Sequence, residues 1–214
     1  MLIDAHTHSA SKGVDLSIIN CYPSEVQLND SYVYSCGIHP WYIKPEKTEE
    51  WISGIDSLCK NNNIVAIGEC GLDKNIDDLE YQKEVFKTQI RLSEQYKLPC
   101  IIHSVKTHHL ILEIKKETRA QMPWLVHGFS GSIETAQQFA SQNIFISFGE
   151  NLIKHPDKFK KLLNQVDMDF VLFETDDSDV TIQEVYREAA KLLNKDLAWL
   201  ENKIEMNFNR FLGK

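Results

Sequence analysis

The sequence has 214 residues, of which 43% are hydrophobic and 25% are charged, a balance that supports a packed core and argues against wholesale disorder. Chains of about 200–250 residues often form one α/β barrel, so we expect a single domain over residues 1–214. The 23 lysines and arginines face 31 aspartates and glutamates, giving a net charge of −8. This charge excludes a nonspecific duplex-DNA coat protein, which binds phosphates mainly through cations. It leaves open a nucleic-acid enzyme whose metal ions dominate the local field.

Five cysteines without a CxxC pair argue against a disulfide framework or a zinc ribbon, and they favour a reducing cytoplasm. The first ten residues lack the basic and apolar regions of a signal peptide, and no apolar run approaches the ~18 residues of a membrane span. We therefore expect a cytoplasmic protein without a membrane segment.

Short β-branched runs alternate with longer helical patterns along the chain. The eight predicted strands cover residues 2–6, 14–20, 32–38, 64–69, 100–103, 124–127, 144–148 and 170–174. Residues 79–97 and 182–193 carry apolar side chains at helical spacing, and Thr181 and Glu184 occupy capping-box positions at the start of the second stretch. A further apolar stripe from Leu197 to Phe211 predicts the last helix. The alternation predicts parallel strands and a TIM-type (β/α)₈ barrel, with its site at the carboxyl ends of the strands.

The first part of this barrel is irregular. Only about seven residues separate the first two predicted strands, whereas parallel strands normally need a dozen or more to cross over. We therefore expect the first one or two outer helices to be shortened or missing, which leaves an apolar stripe around the first three strands. A second copy of the chain, in a homodimer, is one candidate to cover this apolar stripe. The candidates within the chain are Ile18, Ile19, Tyr22, Val26 and Leu28.

Six metal-capable side chains stand at the ends of predicted strands. His6 and His8 close the first strand, and their spacing of two residues points both imidazoles to the same side. The others, each at the end of a later apolar run, are Glu69, His103, His127 and Asp176. Any one of them could instead be a hydrogen-bonded core histidine or a helix N-cap, but a single barrel site explains all six.

Four imidazoles and two carboxylates, with no thiolate, suit Zn²⁺, Mn²⁺ or Mg²⁺ rather than an iron–sulfur cluster. Six ligands are too many for one catalytic ion that keeps an open position, and they suit two ions about 3.5–4 Å apart that share a bridging carboxylate. We therefore expect two divalent metal ions as cofactors. Glu174 is either a hydrogen-bond partner behind the ligands or a plain carboxylate of the barrel interior.

Seven stretches spread over nearly the whole chain carry recognisable motifs. They are IDAHTH at 3–8, GIHPW at 37–41, GECGLD at 68–73, QKEVFKTQIRLSEQYKLPCIIHS at 82–104, VHGFSG at 126–131, FETD at 173–176 and NFNRF at 207–211. In this order they resemble the TatD-type metal-dependent deoxyribonucleases, within the amidohydrolase-like barrels. The resemblance identifies the chain as a short member of that family, and it implies a metal-dependent hydrolase.

The resemblance also implies two sets of ligands that share one residue. One ion would be held by His6, His8, Glu69 and Asp176. The other would be held by Glu69, His103 and His127, so that Glu69 bridges the pair.

Two further residues look like substrate contacts. His39 in GIHPW looks like a contact to the substrate phosphate rather than a ligand. Where the family usually carries an arginine, this chain has Val105, with Lys106 beside it as a replacement cation that lacks the bidentate fork of arginine.

The predicted function is two-metal hydrolysis of a phosphodiester, at DNA ends or in a small nucleotidyl substrate. Asp176 is predicted to take the proton of the attacking water, beside the bridging Glu69. A hydrolase of cyclic amides, lactones or phosphomonoesters on the same metals is one alternative. A noncatalytic metal-bound barrel used for protein contacts is another.

Overall fold

Eight strands and eight helices make up the computed structural model, which describes residues 1–10, 13–23 and 28–214. Neighbouring strands pair in parallel, in the order β1-β2-β3-β4-β5-β6-β7-β8. The strands are β1 (Ile3–Thr7), β2 (Leu16–Cys21), β3 (Val33–Cys36), β4 (Ile64–Asp73), β5 (Cys100–Val105), β6 (Trp124–Val126), β7 (Ile144–Phe148) and β8 (Val171–Phe173). All eight fall on predicted strands, and only β4 extends well beyond its predicted end.

Helices follow the strands from β3 onward. They are α1 (Pro45–Leu58), α2 (Leu79–Tyr96), α3 (His108–Thr118), α4 (Ile133–Ala140), α5 (Asn151–Lys154), α6 (Pro156–Leu163), α7 (Ile182–Leu193) and α8 (Leu197–Phe211). This alternation confirms the predicted TIM-type barrel. Among the described residues, no helix has the length and apolar character that a membrane crossing requires.

The described residues between β1 and β3 contain no helix, as their short spacing predicts. Ile18 and Ile19 of β2 are nevertheless buried, with exposed fractions of 0% and 8%. Pro23 packs against α1, where a Cβ added at Gly54 would lie 3.3 Å from the proline ring. The chain itself therefore covers these two isoleucines. Val26, another residue predicted to cover the stripe, lies outside the described residues.

Helix α7 begins with the predicted capping box. The backbone N–H of Glu184 donates to the Thr181 hydroxyl at 3.3 Å, and the N–H of Thr181 donates to the Glu184 carboxylate at 2.8 Å. From the buried face of this helix, the Tyr186 hydroxyl donates to the carbonyl of Ile3 at 3.1 Å, and its ring lies 5.0 Å from that of Phe173. Helix α7 thus contacts both the first and the last strand.

The barrel closes where the chain leaving β8 meets β1. The backbone N–H of His8 donates to the carbonyl of Asp176 at 3.1 Å, and the N–H of Asp176 donates to that of His6 at 3.0 Å. The Asp4 carboxylate accepts from the backbone N–H of Thr175 at 3.0 Å and from its hydroxyl at 2.6 Å. Burial raises the pKa of Asp4 to about 7, although both Thr175 donors oppose this shift. The closure sets His6, His8 and Asp176 side by side.

Strand β4 passes unusually close to β5 at two glycines. A Cβ at Gly68, where φ is +147°, would lie 2.5 Å from the carbonyl oxygen of Ile101. A Cβ at Gly71, where φ is +135°, would lie 2.2 Å from that of His103. Only glycine permits both the backbone angle and the approach. Glu69 lies between them, where the register of the two strands shifts.

Candidate metal centre

The six predicted ligands converge at the carboxyl ends of the strands. Three belong to strands β1, β4 and β5, and the other three follow β1, β6 and β8; they are His6, Glu69, His103, His8, His127 and Asp176. The His6 side chain is fully buried and that of Glu69 is 4% exposed, whereas that of Asp176 is 37% exposed. The cluster therefore lies at the base of a cavity of about 260 Å³ that reaches solvent.

Glu69 stands at the middle of the cluster, and its two carboxylate oxygens face different histidines. Its Oε2 lies 3.5 Å from Nε2 of His6 and 3.7 Å from Nε2 of His8. Its Oε1 lies 2.7 Å from Nε2 of His127 and 2.9 Å from Nδ1 of His103. The two oxygens of one carboxylate thus face different imidazoles, and Oε1 has a third neighbour in Nε2 of His39 at 3.1 Å.

Asp176 adds a second carboxylate to the first of these pairs. Its Oδ1 lies 3.5 Å from Nε2 of His6 and 3.4 Å from Nε2 of His8. Asp176 has a left-handed backbone with φ of 55°, and it contacts β1 at the barrel closure. Burial opposes ionisation of this carboxyl, yet the imidazoles of His6, His8 and His127 hold its pKa below the usual range.

The electrostatics of the cluster favour charged groups. Burial opposes ionisation of Glu69, but the charge of His127 and the contacts from His103 and His39 hold its pKa well below the usual range. Burial also opposes protonation of His6, yet Asp176 and Glu69 raise its pKa. The buried carboxylate of Glu69 and the partly exposed one of Asp176 stay ionised and create a strong local demand for positive charge, which the surrounding imidazoles meet in part.

The donor set fits divalent cations. His6 is buried and, within the part of the chain that the structure describes, neither of its ring nitrogens makes a hydrogen bond; the same holds for Nδ1 of His127. Unpartnered buried nitrogens are costly unless something binds them. Sets of three ligand atoms within 4.8 Å of one another are formed by His6, Glu69 and His127, by His6, His8 and Asp176, and by His39, Glu69 and His103. Imidazole and carboxylate ligands together suit Zn²⁺, Mn²⁺ or similar ions.

His39 belongs to the last of these sets, although the sequence predicts a phosphate contact at this position. Its Nδ1 accepts a hydrogen bond from the N–H of Trp41 at 3.1 Å. A neutral imidazole whose Nδ1 accepts carries its proton on Nε2, so Nε2 is a donor there. That nitrogen lies 3.1 Å from Oε1 of Glu69, and burial lowers the pKa of His39 despite this contact. A neutral donor supports the role of phosphate contact better than that of metal ligand.

Lys106 is not brought into the cluster. It is exposed, its backbone is left-handed with φ of 57°, and its Nζ donates to the side-chain oxygen of Asn75 at 2.9 Å. It is absent from the described residues that line the cavity. The expected replacement for arginine therefore lies outside the metal cluster, where Lys106 after β5 bonds to Asn75 after β4.

Two residues that the sequence analysis left without a role support His103. Asp73, at the end of β4, places its Oδ2 3.2 Å from Nε2 of His103. The same oxygen accepts a hydrogen bond from the indole of Trp41 at 2.7 Å. A carboxylate on the second nitrogen fixes the orientation of a ligating imidazole. Spacing could have indicated this residue, because Glu69 and Asp73 are four apart in a strand and share one side.

Glu174 lies behind His127. Its Oε1 accepts the backbone N–H of Gly128 at 2.6 Å and lies 3.7 Å from Nδ1 of His127. Its Oε2 accepts the hydroxyl of Ser147. The hydrogen bonds of Glu174 thus go to Gly128 and Ser147, and its 3.7 Å separation from Nδ1 of His127 is too long for a hydrogen bond to that ring. Glu174 therefore lies behind His127 without hydrogen-bonding to it, and both interpretations from the sequence stay open.

A family model and a number of known proteins are similar to this chain. The model of TatD related DNase matches residues 7–213. YabD, an uncharacterized metal-dependent hydrolase of Bacillus subtilis, is 36% identical over 150 residues, which cover 68% of this chain and 58% of YabD. The 3'-5' ssDNA/RNA exonuclease TatD of Erwinia tasmaniensis is 28% identical over 153 residues, which cover 66% of this chain and 56% of that protein. The matched part of this chain thus spans less than three fifths of either relative.

A solved structure agrees with these matches. The crystal structure of YjjV, a TatD homolog of Escherichia coli, aligns with a TM-score of 0.84 at 20% identity and covers 100% of both chains. That likeness shows the fold, and the family model extends over nearly the entire sequence. The chain belongs to the family of TatD related DNases.

Proposed function

We propose that the protein is a two-metal phosphodiesterase that cleaves nucleotides from nucleic-acid ends. One observation carries this proposal: one oxygen of Glu69 faces His6 and His8, and the other faces His103 and His127. A carboxylate so placed can bridge two cations, each completed by the histidines on its own side. The exonuclease name of the Erwinia relative supports a nucleic-acid substrate.

The residues present would hold the two ions as follows. Around Oε2 of Glu69 stand His6, His8 and Asp176; around Oε1 stand His103 and His127. When bound, two divalent ions supply Lewis-acid polarisation of a phosphate and make an attacking water more acidic.

The side chains around these ligands provide the remaining chemistry. Asp176 remains ionised and is the most exposed of the ligands named here, so its free oxygen can accept the proton of water and pass it to the leaving oxygen. The Nε2–H of His39 can donate to a phosphate oxygen. Asp73 keeps the imidazole of His103 in orientation, and Glu174 lies 3.7 Å behind Nδ1 of His127.

Glu69→Gln tests the bridging role. A neutral amide cannot offset two cations, so we expect this variant to retain fewer metal ions than the parent and to lose activity on an end-labelled single-stranded oligodeoxynucleotide. Metal content is measured by elemental analysis after dialysis against buffered Mn²⁺ or Zn²⁺. The matched control is Glu113→Gln at an exposed position of α3. Undiminished occupancy by two ions in Glu69→Gln would overturn the bridging assignment.

A substrate panel separates the proposed function from its alternatives. The metal-loaded parent is compared on the oligodeoxynucleotide, a phosphomonoester, a lactone and a cyclic amide. Activity confined to one of the last three substrates would replace the phosphodiesterase proposal. Full metal loading without activity on any of them would favour a noncatalytic barrel.

A further inference from the structure

A second cavity adjoins the metal centre. It measures about 350 Å³, within the usual range of ligand sites, and we call it the aromatic pocket. Tyr22, His39 and Tyr42 line both this pocket and the cavity above the ligands. A ligand with its phosphate at the metal centre can therefore extend into the aromatic pocket without leaving the surface. The other described residues that line the pocket include Ile38, Lys44 and Trp51.

The walls of the aromatic pocket offer flat rings to a ligand. The rings of Tyr22 and Tyr42 meet edge to face at 5.4 Å, and Tyr42 is 48% exposed. Beside Tyr42, Trp41 lines the cavity above the ligands, where it is 57% exposed while its indole N–H is held by Asp73. Large exposed aromatic side chains beside a site commonly mark a binding surface. Because its indole is already fixed, Trp41 loses little freedom when a ligand binds.

The charge of the protein indicates where affinity for a nucleic acid can originate. The net charge is −8, and Lys44 is the only lysine or arginine among the described residues lining the two cavities. Lys106, the expected phosphate cation, bonds to Asn75 instead. Contacts between lysines and phosphates therefore contribute little here, whereas stacking of a base on an aromatic ring needs no net charge.

We propose that the aromatic pocket binds the base of one unpaired nucleotide whose phosphate lies at the metal centre, with Tyr42 as its stacking partner. The inference rests on the proposed function, since it takes the phosphate of a nucleotide as the group held by the ligands. Stacking accepts every base, so the pocket distinguishes single-stranded ends from base-paired ones rather than one sequence from another.

The test compares ligands that differ only in the base. Thymidine 5′-monophosphate and 2′-deoxyadenosine 5′-monophosphate are titrated against 2-deoxyribose 5-phosphate, using calorimetry on metal-loaded protein. Base stacking is worth about 1–3 kcal/mol, so we expect the parent to bind both nucleotides at least about fivefold more tightly than the sugar phosphate. Tyr42→Leu should bring that ratio close to one. Tyr32→Leu, at an exposed tyrosine before the amino end of β3, is the matched control and should keep the parent ratio.

The possible outcomes separate failure of the pocket proposal from failure of the phosphodiesterase proposal. Equal affinity for nucleotides and sugar phosphate in the parent, or an unchanged ratio in Tyr42→Leu, overturns the pocket. If Tyr42→Leu binds none of the ligands, the ratio of nucleotide affinity to sugar-phosphate affinity is measured in Trp51→Leu, whose ring also lines the pocket. A ratio equal to that of the parent then overturns the pocket. A parent that prefers nucleotides but cleaves no oligodeoxynucleotide refutes the phosphodiesterase proposal and keeps the pocket. Cleavage of the oligodeoxynucleotide without any preference for nucleotides over sugar phosphate keeps the phosphodiesterase proposal and refutes the pocket.

Discussion

Asp176 occupies a position where one carboxylate could both bind metal and move a proton. Its Oδ1 contacts two imidazoles of the first ligand set, while Oδ2 lies 3.9 Å from Nδ1 of His127. The side chain is more exposed than that of any other ligand, so water reaches it. A pKa below the usual range keeps it ready to accept a proton, although it also makes the group a weak base.

Asp176→Asn separates the two roles. Asparagine keeps the shape and one ligating oxygen but cannot accept a proton. If Asp176 is the base, the rate at saturating metal should stay about 10²–10⁴-fold below that of the parent. The rate is followed on a single-stranded oligodeoxynucleotide over a metal titration, with exposed Asp179→Asn as control. Full recovery at high metal would leave Asp176 as a ligand alone.

The convergence of the six candidate ligands could be predicted from the sequence, whereas the residues around them could be predicted only in part: Glu174 had two open interpretations, and Asp73 was missed. His6, His103 and His127 each end an apolar run, and the ends of parallel strands meet on one side of a barrel. Asp73 does not end an apolar run of its own, because the run before it appeared to end at Glu69, and its only signal was its four-residue spacing from Glu69. The position of Lys106 depends on a left-handed backbone and on Asn75, and neither follows from composition or spacing.

At the scale of elements, β4 shows why that strand was predicted too short. It continues to Asp73, although glycines at 68 and 71 interrupt its apolar pattern. Glycine inside a strand usually suggests an end or a bulge. Here the carbonyls of β5 occupy the space where side chains would be, so the glycines permit a close approach instead. The seven other strands lack this feature, and buried β-branched runs predicted them well.

Gly71→Ala tests the close approach. A methyl group would lie 2.2 Å from the carbonyl of His103, at a backbone angle that alanine rarely adopts. We expect the free energy of unfolding to fall by about 2 kcal/mol or more, measured by urea denaturation. Gly213→Ala also has positive φ, of 71°, but meets nothing within 4 Å, so it is the control for a positive φ without a steric contact. Equal losses in the two variants would contradict the steric account.

At the scale of the whole molecule, barrel closure depends on a buried carboxylate. Asp4 accepts two hydrogen bonds from Thr175, and its pKa is about 7 in the folded protein against 3.8 ordinarily. The folded state therefore holds this proton more tightly than the unfolded one. The contribution of Asp4 to stability accordingly falls as pH rises from about 4 to about 7.

Thr175→Val removes the hydroxyl donor and should raise the pKa of Asp4 further. We expect a loss of about 1–3 kcal/mol in the free energy of unfolding, larger at pH 8 than at pH 5, because the ionised carboxylate needs the donor most. Urea denaturation with a metal chelator measures it at both pH values. Thr88→Val, whose hydroxyl donates to a helix carbonyl at 3.0 Å, is the control. An equal loss at the two pH values would exclude Asp4 as the cause.

The closure also sets the order in which the protein becomes complete during its synthesis. Asp176 is made 170 residues after His6. Until then, β1 presents an unpaired edge, the kind of surface through which nascent chains associate wrongly. The segment that seals this edge is the one that delivers Asp176, so the first ligand set is finished at the same moment. We therefore expect a divalent ion to stabilise the finished chain strongly and ribosome-bound chains that end before Asp176 only weakly.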